Sequence, residues 1–458
     1  MYYILIAQFW IVGAWAQDIS LRIATETGRT QFRVGEQIGL TLTFETAETS
    51  SPDKWMVAVN GRDRSVLGLA NDRFLVSPQP GASDPLSYRF GEGVVYSGPG
   101  GMYLHGKTNV AHLDLNQWVR FERPGNYLVR ALFHATASHG RDASLHSNEL
   151  AIEIVAGGAA WQSDEVRDDV AILSSVPAKP DNESFEARMN AARRLSYLDT
   201  ADSVFEATRL LGTADVQVGQ ILQTWLQATR SRDVAVAAMK QLLRSADQPV
   251  TPAFLDTLAT LESWRRIPPA NPPSVPESRR RYEIRAAIAE QLRIDLAAAI
   301  DRKHGAARAI SMKTLLDNMP PEVVPARLRS EIAALFAELP AAQQSELLNG
   351  QWNKIAGPGM IPALRRIYDS VPGTNEWAPA IVATAVERLY ELDPGPTRQL
   401  LLDELSRPRP RLPFRTLAIL PDATLPGIDK TLLEHLERER GGEAEELIAR
   451  YATSGILD

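Results

Sequence analysis

The chain has 458 residues, of which 44% are hydrophobic and 23% are charged. This composition is typical of a globular protein with about two to four domains, and it excludes an intrinsically disordered chain. The formal net charge is −7, which argues against nucleic-acid binding because that role needs a basic surface. The sequence has no cysteine, so disulfide bonds, thiolate metal sites and a cysteine nucleophile are excluded.

Residues 1–16 carry no charge and predict a cleaved signal peptide. The apolar stretch is shorter than the roughly 20 residues that a membrane-spanning helix needs. It ends in Ala14-Trp15-Ala16, the small-x-small pattern of a signal-peptidase site, shortly before the first charged residue, Asp18. The usual opening Lys or Arg is missing, so a true start further upstream and a buried strand are the alternatives. We expect export to the periplasm or the extracellular space, with only transient membrane contact through this segment.

Residues 17–157 alternate apolar and polar side chains with a period of two. Such alternation is typical of strands with one face on a core and the other in water, and it favours an antiparallel β-sandwich. Between Trp118 and Arg130, a strand is followed by a turn at Pro124 and then by Tyr127. This segment resembles the E–F corner of immunoglobulin-like domains, which implies that the Tyr127 hydroxyl bonds back to the turn. The resemblance predicts an immunoglobulin-like fold for residues 17–157.

From residue 158 the spacing of apolar residues becomes helical and stays so almost to the C-terminus. Ser163 is expected to cap the first helix, and Thr213 is expected to cap a later one. A Pro-rich connection at 267–277 divides an α-helical region at 158–266 from a second one at 278–458. The predicted class is therefore a multidomain β + α protein.

Regularly spaced prolines predict repeated helix pairs within residues 278–458. Pro362, Pro396 and Pro426 each open an amphipathic segment and lie 34 and 30 residues apart, with room for a second helix at 379–391. This pattern resembles HEAT or armadillo-like repeats, which build α-solenoids. The two halves together resemble exported bacterial proteins that join an immunoglobulin-like domain to such repeats. That resemblance implies an architecture and a compartment, and no activity.

The candidate binding loop is the long irregular segment at residues 79–103. Loops on a rigid scaffold often carry binding function, and aromatic side chains suit contact with a glycan or a peptide. The alternative is a connecting loop with a hydrophobic cluster of its own. The aromatic residues in question are Tyr88, Phe90, Tyr96 and Tyr103.

Other candidate sites have a simpler interpretation. Five histidines cluster in the β region, but their spacing matches no metal-binding motif, so scattered surface histidines are favoured over a metal site. Ser97 lacks the surroundings of a nucleophile elbow, and spacing singles out no pair of carboxylates. We therefore assign no catalytic, cofactor-binding or metal-binding residue. The histidines are His105, His112, His134, His139 and His146.

These observations favour a non-enzymatic, extracytoplasmic binding or scaffold protein that uses the sandwich loops and the concave face of the repeats. The expected partner is a protein or glycan of the cell envelope, and no nucleic acid or cofactor is expected. One alternative is an enzyme of the cell wall or of a polysaccharide, with its site between sandwich and helices. Another is a protease inhibitor built on the sandwich. The last helical segment, 447–451, lacks a polar cap, which predicts self-association or a truncated terminus.

Overall fold

The computed structural model of the protein describes most of the chain after residue 18, in several ranges. The described residues are 19–46, 55–57, 72–87, 102–104, 107–137, 142–175, 181–213, 215–269, 274–370, 380–407, 410–420, 425, 427–437, 445, 447–449 and 452. A β-rich N-terminal region is followed by a helical region, as the periodicity predicts. The predicted signal peptide lies outside the described residues.

The chain divides into two compact units. Unit 1 contains residues 1–242 and 253–292, and therefore includes the β region and the first helices. Unit 2 contains residues 243–252 and 293–458 and is helical where it is described. Within the described residues, no helix is both long enough and apolar enough to span a bilayer.

The strands follow the predicted alternation: buried side chains alternate with exposed ones along β1 and with half-buried ones along most of β3. The strands are β1 Ile19–Thr25, β2 Gln31–Arg33, β3 Gly39–Thr46, β4 Trp55–Val57, β5 Arg73–Ser77, β6 Ala82–Ser83, β7 Met102–Tyr103, β8 Thr108–Asp114, β9 Arg120–Phe121, β10 Gly125–Ala137, β11 Asp142–His146 and β12 Leu150–Val155.

Two larger sheets form the β region. One has the order β1-β3-β8 and is antiparallel, with Leu21 opposite Phe44 and Leu42 opposite Ala111. The other has the order β2-β12-β10-β4-β7, and β5 and β11 also pair with β10. Its β2–β12 pair is parallel and its other pairs are antiparallel. The short strands β6 and β9 form a third pair.

Both larger sheets bury their inner faces in one hydrophobic core. Leu42 and Phe44 of β3 belong to the same cluster as Val129 and Phe133 of β10, and all four are fully buried. Each such side chain contributes about 1.5–3 kcal/mol when it leaves water. A core of this extent explains how the β region holds together in a sequence that has no cysteine.

The helices begin after β12. They are α1 Ala159–Ser174, α2 Asn182–Leu198, α3 Ala201–Leu210, α4 Val216–Ala228, α5 Arg232–Arg244, α6 Pro252–Arg266, α7 Val275–Ala299, α8 Gly305–Asp317, α9 Ala326–Leu335, α10 Ala341–Gly350, α11 Trp352–Ile355, α12 Ile361–Asp369, α13 Ala380–Leu392, α14 Pro394–Leu405 and α15 Asp429–Leu436.

Two predicted helix caps are wrong. The first helix begins at Ala159 after Gly158, so Ser163 lies inside α1. The cap of α4 is Asp215, whose Oδ1 accepts a hydrogen bond from Val218 N at 2.9 Å. Thr213 instead donates its hydroxyl to the Leu210 carbonyl, in the turn that follows α3. In both places a residue nearer the helix start supplies the extended backbone that a cap needs.

The helices of unit 2 enclose their own hydrophobic clusters. One cluster includes Phe336 and Leu389, and another includes Leu401 and Leu432. Lys303 is buried in this unit, where its ammonium donates to the carbonyls of Ser245 at 2.9 Å and Gln248 at 2.7 Å. Burial lowers the pKa of Lys303 to about 8.

In unit 1 the two helices α1 and α2 are joined by a buried ion pair. Asp169 Oδ1 accepts hydrogen bonds from Arg194 Nη2 at 2.5 Å and from Nε at 3.0 Å. The Asp169 Oδ2 atom has no hydrogen-bond partner among the described residues. Burial raises the pKa of Asp169 to about 6, because desolvation of the carboxylate outweighs the attraction of Arg194.

The raised pKa of Asp169 predicts a pH-dependent stability. The pKa of Asp169 in the folded protein, about 6, lies above its ordinary value of 3.8. The contribution of Asp169 to the free energy of unfolding is therefore complete below pH 3.8 and is lost as the pH rises through 6. Between pH 4 and pH 7, the unfolding free energy of the wild type minus that of Asp169→Asn should fall by about 2 kcal/mol. Urea unfolding at a series of pH values measures this difference.

The matched control for this experiment is Asp164→Asn on the same helix. Asp164 is exposed and pairs with Arg167, so Asp164→Asn should change stability little. A wild-type stability that rises relative to Asp169→Asn between pH 4 and pH 7 would mean that the attraction of Arg194 dominates, contrary to this account.

Candidate binding site

A cleft in unit 1 lies where the β region meets the helices. Its walls come from the turn after β2, from β9 and from the ends of α2 and α4. The empty space in the cleft is about 410 Å³, part of which is open solvent. The lining residues that matter chemically are Arg33, Glu36, Arg120, Tyr197, Trp225 and Arg230.

The Asp199 carboxylate is the centre of a buried network beside this cleft. Asp199 follows the last residue of α2 with φ 45°, a left-handed conformation that Asp tolerates better than most residues. Its side chain is 4% exposed and accepts hydrogen bonds from the Thr229 hydroxyl, from Arg230 N at 3.3 Å and from Arg230 Nε at 3.2 Å. The end of α2 is thereby fastened to the turn between α4 and α5.

Arg120 extends this network to the β region. It lies in β9, its side chain is 12% exposed, and its Nη1 is 3.4 Å from Asp199 Oδ2. Its Nη2 donates to the Ala228 carbonyl at 3.0 Å, at the C-terminus of α4. A cation is favoured there because the last carbonyls of a helix carry partial negative charge. One guanidinium therefore contacts both a buried carboxylate and a helix end.

A second connection crosses the same junction through Asp114. The Tyr197 hydroxyl donates to Asp114 Oδ2 at 3.0 Å, and Gln37 Nε2 donates to the same oxygen at 2.8 Å. Burial raises the pKa of Tyr197 well above its usual value near 10, so the phenol stays protonated and remains a donor. The Tyr197 ring meets Trp225 edge to face at 4.9 Å. These contacts fix the aromatic floor of the cleft.

The turn after β2 approaches α2 so closely that it needs a glycine. Gly35 has φ 85°, and a Cβ atom there would lie 3.1 Å from Leu198 Cα. Asn116 holds the turn from the other side, since its Nδ2 donates to the Glu36 carbonyl at 2.9 Å and its Oδ1 accepts from Ile38 N at 2.7 Å. The turn is therefore a fixed wall of the cleft.

Two guanidinium groups remain available at the cleft. The Arg230 side chain is 47% exposed and uses its Nε on Asp199, while its two Nη atoms donate to no described residue. Arg33 is exposed and stacks over the Trp161 ring at 5.0 Å, and its guanidinium likewise donates no hydrogen bond to the described part of the chain. Glu36 is occupied, because it pairs with Arg29 at 2.9 Å and accepts from Arg33 N at 2.8 Å.

The predicted aromatic binding loop is described at one of its four residues. Tyr103 lies in β7, at an end of the second sheet, and is 49% exposed. Tyr88, Phe90 and Tyr96 lie outside the described residues, so this binding loop stays a prediction.

The histidines that are described occupy separate places. His134 lies against Asp72, with its Nδ1 3.1 Å from Asp72 Oδ1, and His112 lies 2.8 Å from Glu26 on the other sheet. His146 is exposed on β11. Among the described residues, no three His, Asp or Glu side chains are grouped so that they could hold a metal ion. His105 and His139 lie outside the described ranges.

Sequence reasoning did not single out Arg120, Asp199 or Arg230. These residues lie far apart in the chain and meet only because β9 packs against the ends of α2 and α4. No spacing rule describes such a meeting. The one local signal was an aspartate directly after a helical stretch, at Leu198-Asp199-Thr200.

No protein-family model matches the chain, and no curated protein matches its sequence significantly.

The buried network predicts that removal of its carboxylate strongly destabilises unit 1. Asp199→Ala should lower the free energy of unfolding by about 3 kcal/mol, because the buried Arg120 would lose the carboxylate that it contacts. Asp199→Gly should also be destabilising, although glycine relieves the left-handed backbone. Equilibrium urea unfolding measures both variants.

The control is Asp233→Ala, which removes an exposed aspartate paired with Arg265 and should change stability little. If Asp199→Gly proves as stable as the wild type, the residue serves the backbone conformation alone, and the network contributes nothing.

Proposed function

We propose that the chain is a non-enzymatic binding or scaffold protein that acts outside the cytoplasm, and that the cleft of unit 1 is one of its binding surfaces. The observation that carries this proposal is the division of roles among the charged groups. Asp114 and Asp199 are engaged in hydrogen bonds that hold the junction together, whereas Arg33 and Arg230 line the cleft and their Nη atoms donate to no described residue. A guanidinium keeps its proton up to about pH 12, so it suits binding better than proton transfer.

Export is proposed from the N-terminal sequence. Residues 1–16 are uncharged and mostly apolar, and they end in the small-x-small pattern of a cleavage site. A partner of the cell envelope, either a protein or a glycan, follows from this compartment.

We further propose that the β region is an immunoglobulin-like sandwich. The sheet β1-β3-β8 corresponds to strands A, B and E of that fold, and the neighbours β12-β10-β4 correspond to strands G, F and C. Tyr127 donates its hydroxyl to the Arg123 carbonyl at 3.0 Å, as a tyrosine corner requires. Gly81 (φ 99°) supports the same corner, since a Cβ atom there would lie 2.7 Å from that hydroxyl.

For the helical region we propose repeated helix pairs. Pro362 lies in the first turn of α12 and Pro396 in the first turn of α14, and α13 occupies the interval between these helices. Within unit 2, α12 packs against α13 and α13 packs against α14. This succession supports a solenoid of the HEAT or armadillo kind. Pro426 lies outside the described residues.

The binding role predicts that a partner can be trapped at the cleft of the full chain. A photo-crosslinking amino acid at Val34 should attach one reproducible species in envelope extract, because Val34 lines the cleft and its replacement leaves Arg33 and Arg230 in place. The same amino acid at Tyr282, which is exposed on α7 and does not line the cleft, should not attach that species. Mass spectrometry of the crosslinked bands is the measurement.

The enzyme alternative is tested beside it by incubating the full chain with purified wall polysaccharide. Fragments released by the wild type, together with identical crosslinks at Val34 and Tyr282, would contradict the binding role.

A further inference from the structure

We infer that the cleft of unit 1 binds an oxyanion, a carboxylate or a phosphate, between the guanidinium groups of Arg33 and Arg230. This inference rests on the proposed binding role and adds the chemical class of the ligand group. Guanidinium groups bind both kinds of oxyanion through paired N–H donors, so the shared chemistry is that of a group with two or more charged oxygens.

The local charge of the cleft is opposite to that of the whole chain. Among the described residues that line it, three are arginines, namely Arg33, Arg120 and Arg230, and one is an acid, Glu36. Glu36 is offset by Arg29, and the nearby Asp199 lies between Arg120 and Arg230. The balance of these groups is positive, although the formal net charge of the chain is −7. A cationic recess of this kind raises the local concentration of anions.

Arg230 is already ordered for such a ligand. Its backbone N and its Nε both donate to Asp199 Oδ2, at 3.3 Å and 3.2 Å, so the Nε side of the guanidinium is fixed to a buried group. The two Nη atoms of the guanidinium are left for a ligand. Because the side chain is held in place before binding, less conformational entropy is lost when an anion arrives.

The Arg33 guanidinium is held by a contact with an aromatic ring. Its guanidinium lies over the Trp161 ring at 5.0 Å, and the Trp161 Nε1 donates to Glu165 at 3.0 Å. A guanidinium that lies over a ring face carries its N–H donors at its own edge, so these donors remain available to a ligand. Two guanidinium groups with fixed supports therefore line one cleft.

The floor of the cleft adds an apolar contribution. Tyr197 and Trp225 are almost fully buried, and the Tyr197 hydroxyl is turned towards Asp114. The buried rings therefore keep water out from beneath the cleft, which strengthens a charge interaction above them.

Three probes of one shape test this inference on the full chain. Phenylacetate and phenyl phosphate carry the same ring with different oxyanions, and phenylacetamide is the neutral control. At least one anion should shift the Arg230 Nε–H and Trp225 indole N–H resonances in an NMR titration, with saturation. The neutral probe should bind at least tenfold more weakly. The tighter of the two anions identifies whether carboxylate or phosphate is the natural group.

Arg33→Gln and the double variant Arg33→Gln/Arg230→Gln should weaken anion binding by about tenfold or more. Arg33→Gln leaves every contact of Asp199 in place, so it separates binding from folding. The matched control is Arg279→Gln, an exposed arginine of α7 that pairs with Glu283 and does not line the cleft. It should bind the anion as the wild type does. Equal affinity for acid and amide, no saturable shift with either anion, or unchanged binding by Arg33→Gln would overturn the inference.

The outcome separates this inference from the proposed function. If a partner still crosslinks at Val34 but neither anion binds, the binding role stands and the oxyanion inference fails. If anions bind and no partner is trapped in envelope extract, the oxyanion site stands and a macromolecular partner at this cleft is rejected.

Discussion

The structure of unit 1 depends on one buried carboxylate, that of Asp199. It accepts from donors on the turn between α4 and α5, and it faces Arg120 from the β region. A buried carboxylate costs several kcal/mol of lost hydration, which is offset only when its oxygens are fully bonded. The network therefore stabilises one arrangement of strand and helices and penalises others, because any shift would break the contact between Arg120 and Asp199.

The same constraint creates the candidate site. Asp199 takes the Nε and the backbone N of Arg230 and leaves its two Nη atoms at the cleft. The Tyr197 hydroxyl is engaged by Asp114, and Tyr197 lines the cleft. The groups that hold the junction together thus decide which groups remain for a ligand. Fold and proposed binding chemistry have one physical origin here, in the pairing of buried charges.

Local patterns predicted local structure well. The alternation through Ile19, Leu21 and Ile23 gives β1, and Pro252 opens α6 because a first helical position needs no N–H donor. Helix caps were harder to predict. Ser163 satisfies the cap pattern but lies one turn inside α1, whose cap is Gly158. Several residues near a helix start can meet the pattern, and packing decides among them.

The candidate site could not be predicted in this way. Arg120 and Asp199 lie far apart in the sequence, and each looks like an ordinary charged residue in its own segment. The aromatic loop drew attention because its composition is unusual, whereas the network uses common residue types. Only the packing of β9 against the helix ends makes them a unit.

The central claim is that Arg120 and Asp199 act together to join the β region to the helices of unit 1. A double-mutant cycle with Arg120→Gln and Asp199→Asn, read by hydrogen exchange of the α4 amides, tests it most directly. The account predicts a coupling free energy of about 2 kcal/mol between the two residues. Additive effects, with a coupling energy near zero, would show that the two side chains are neighbours without a shared role, and would contradict the account.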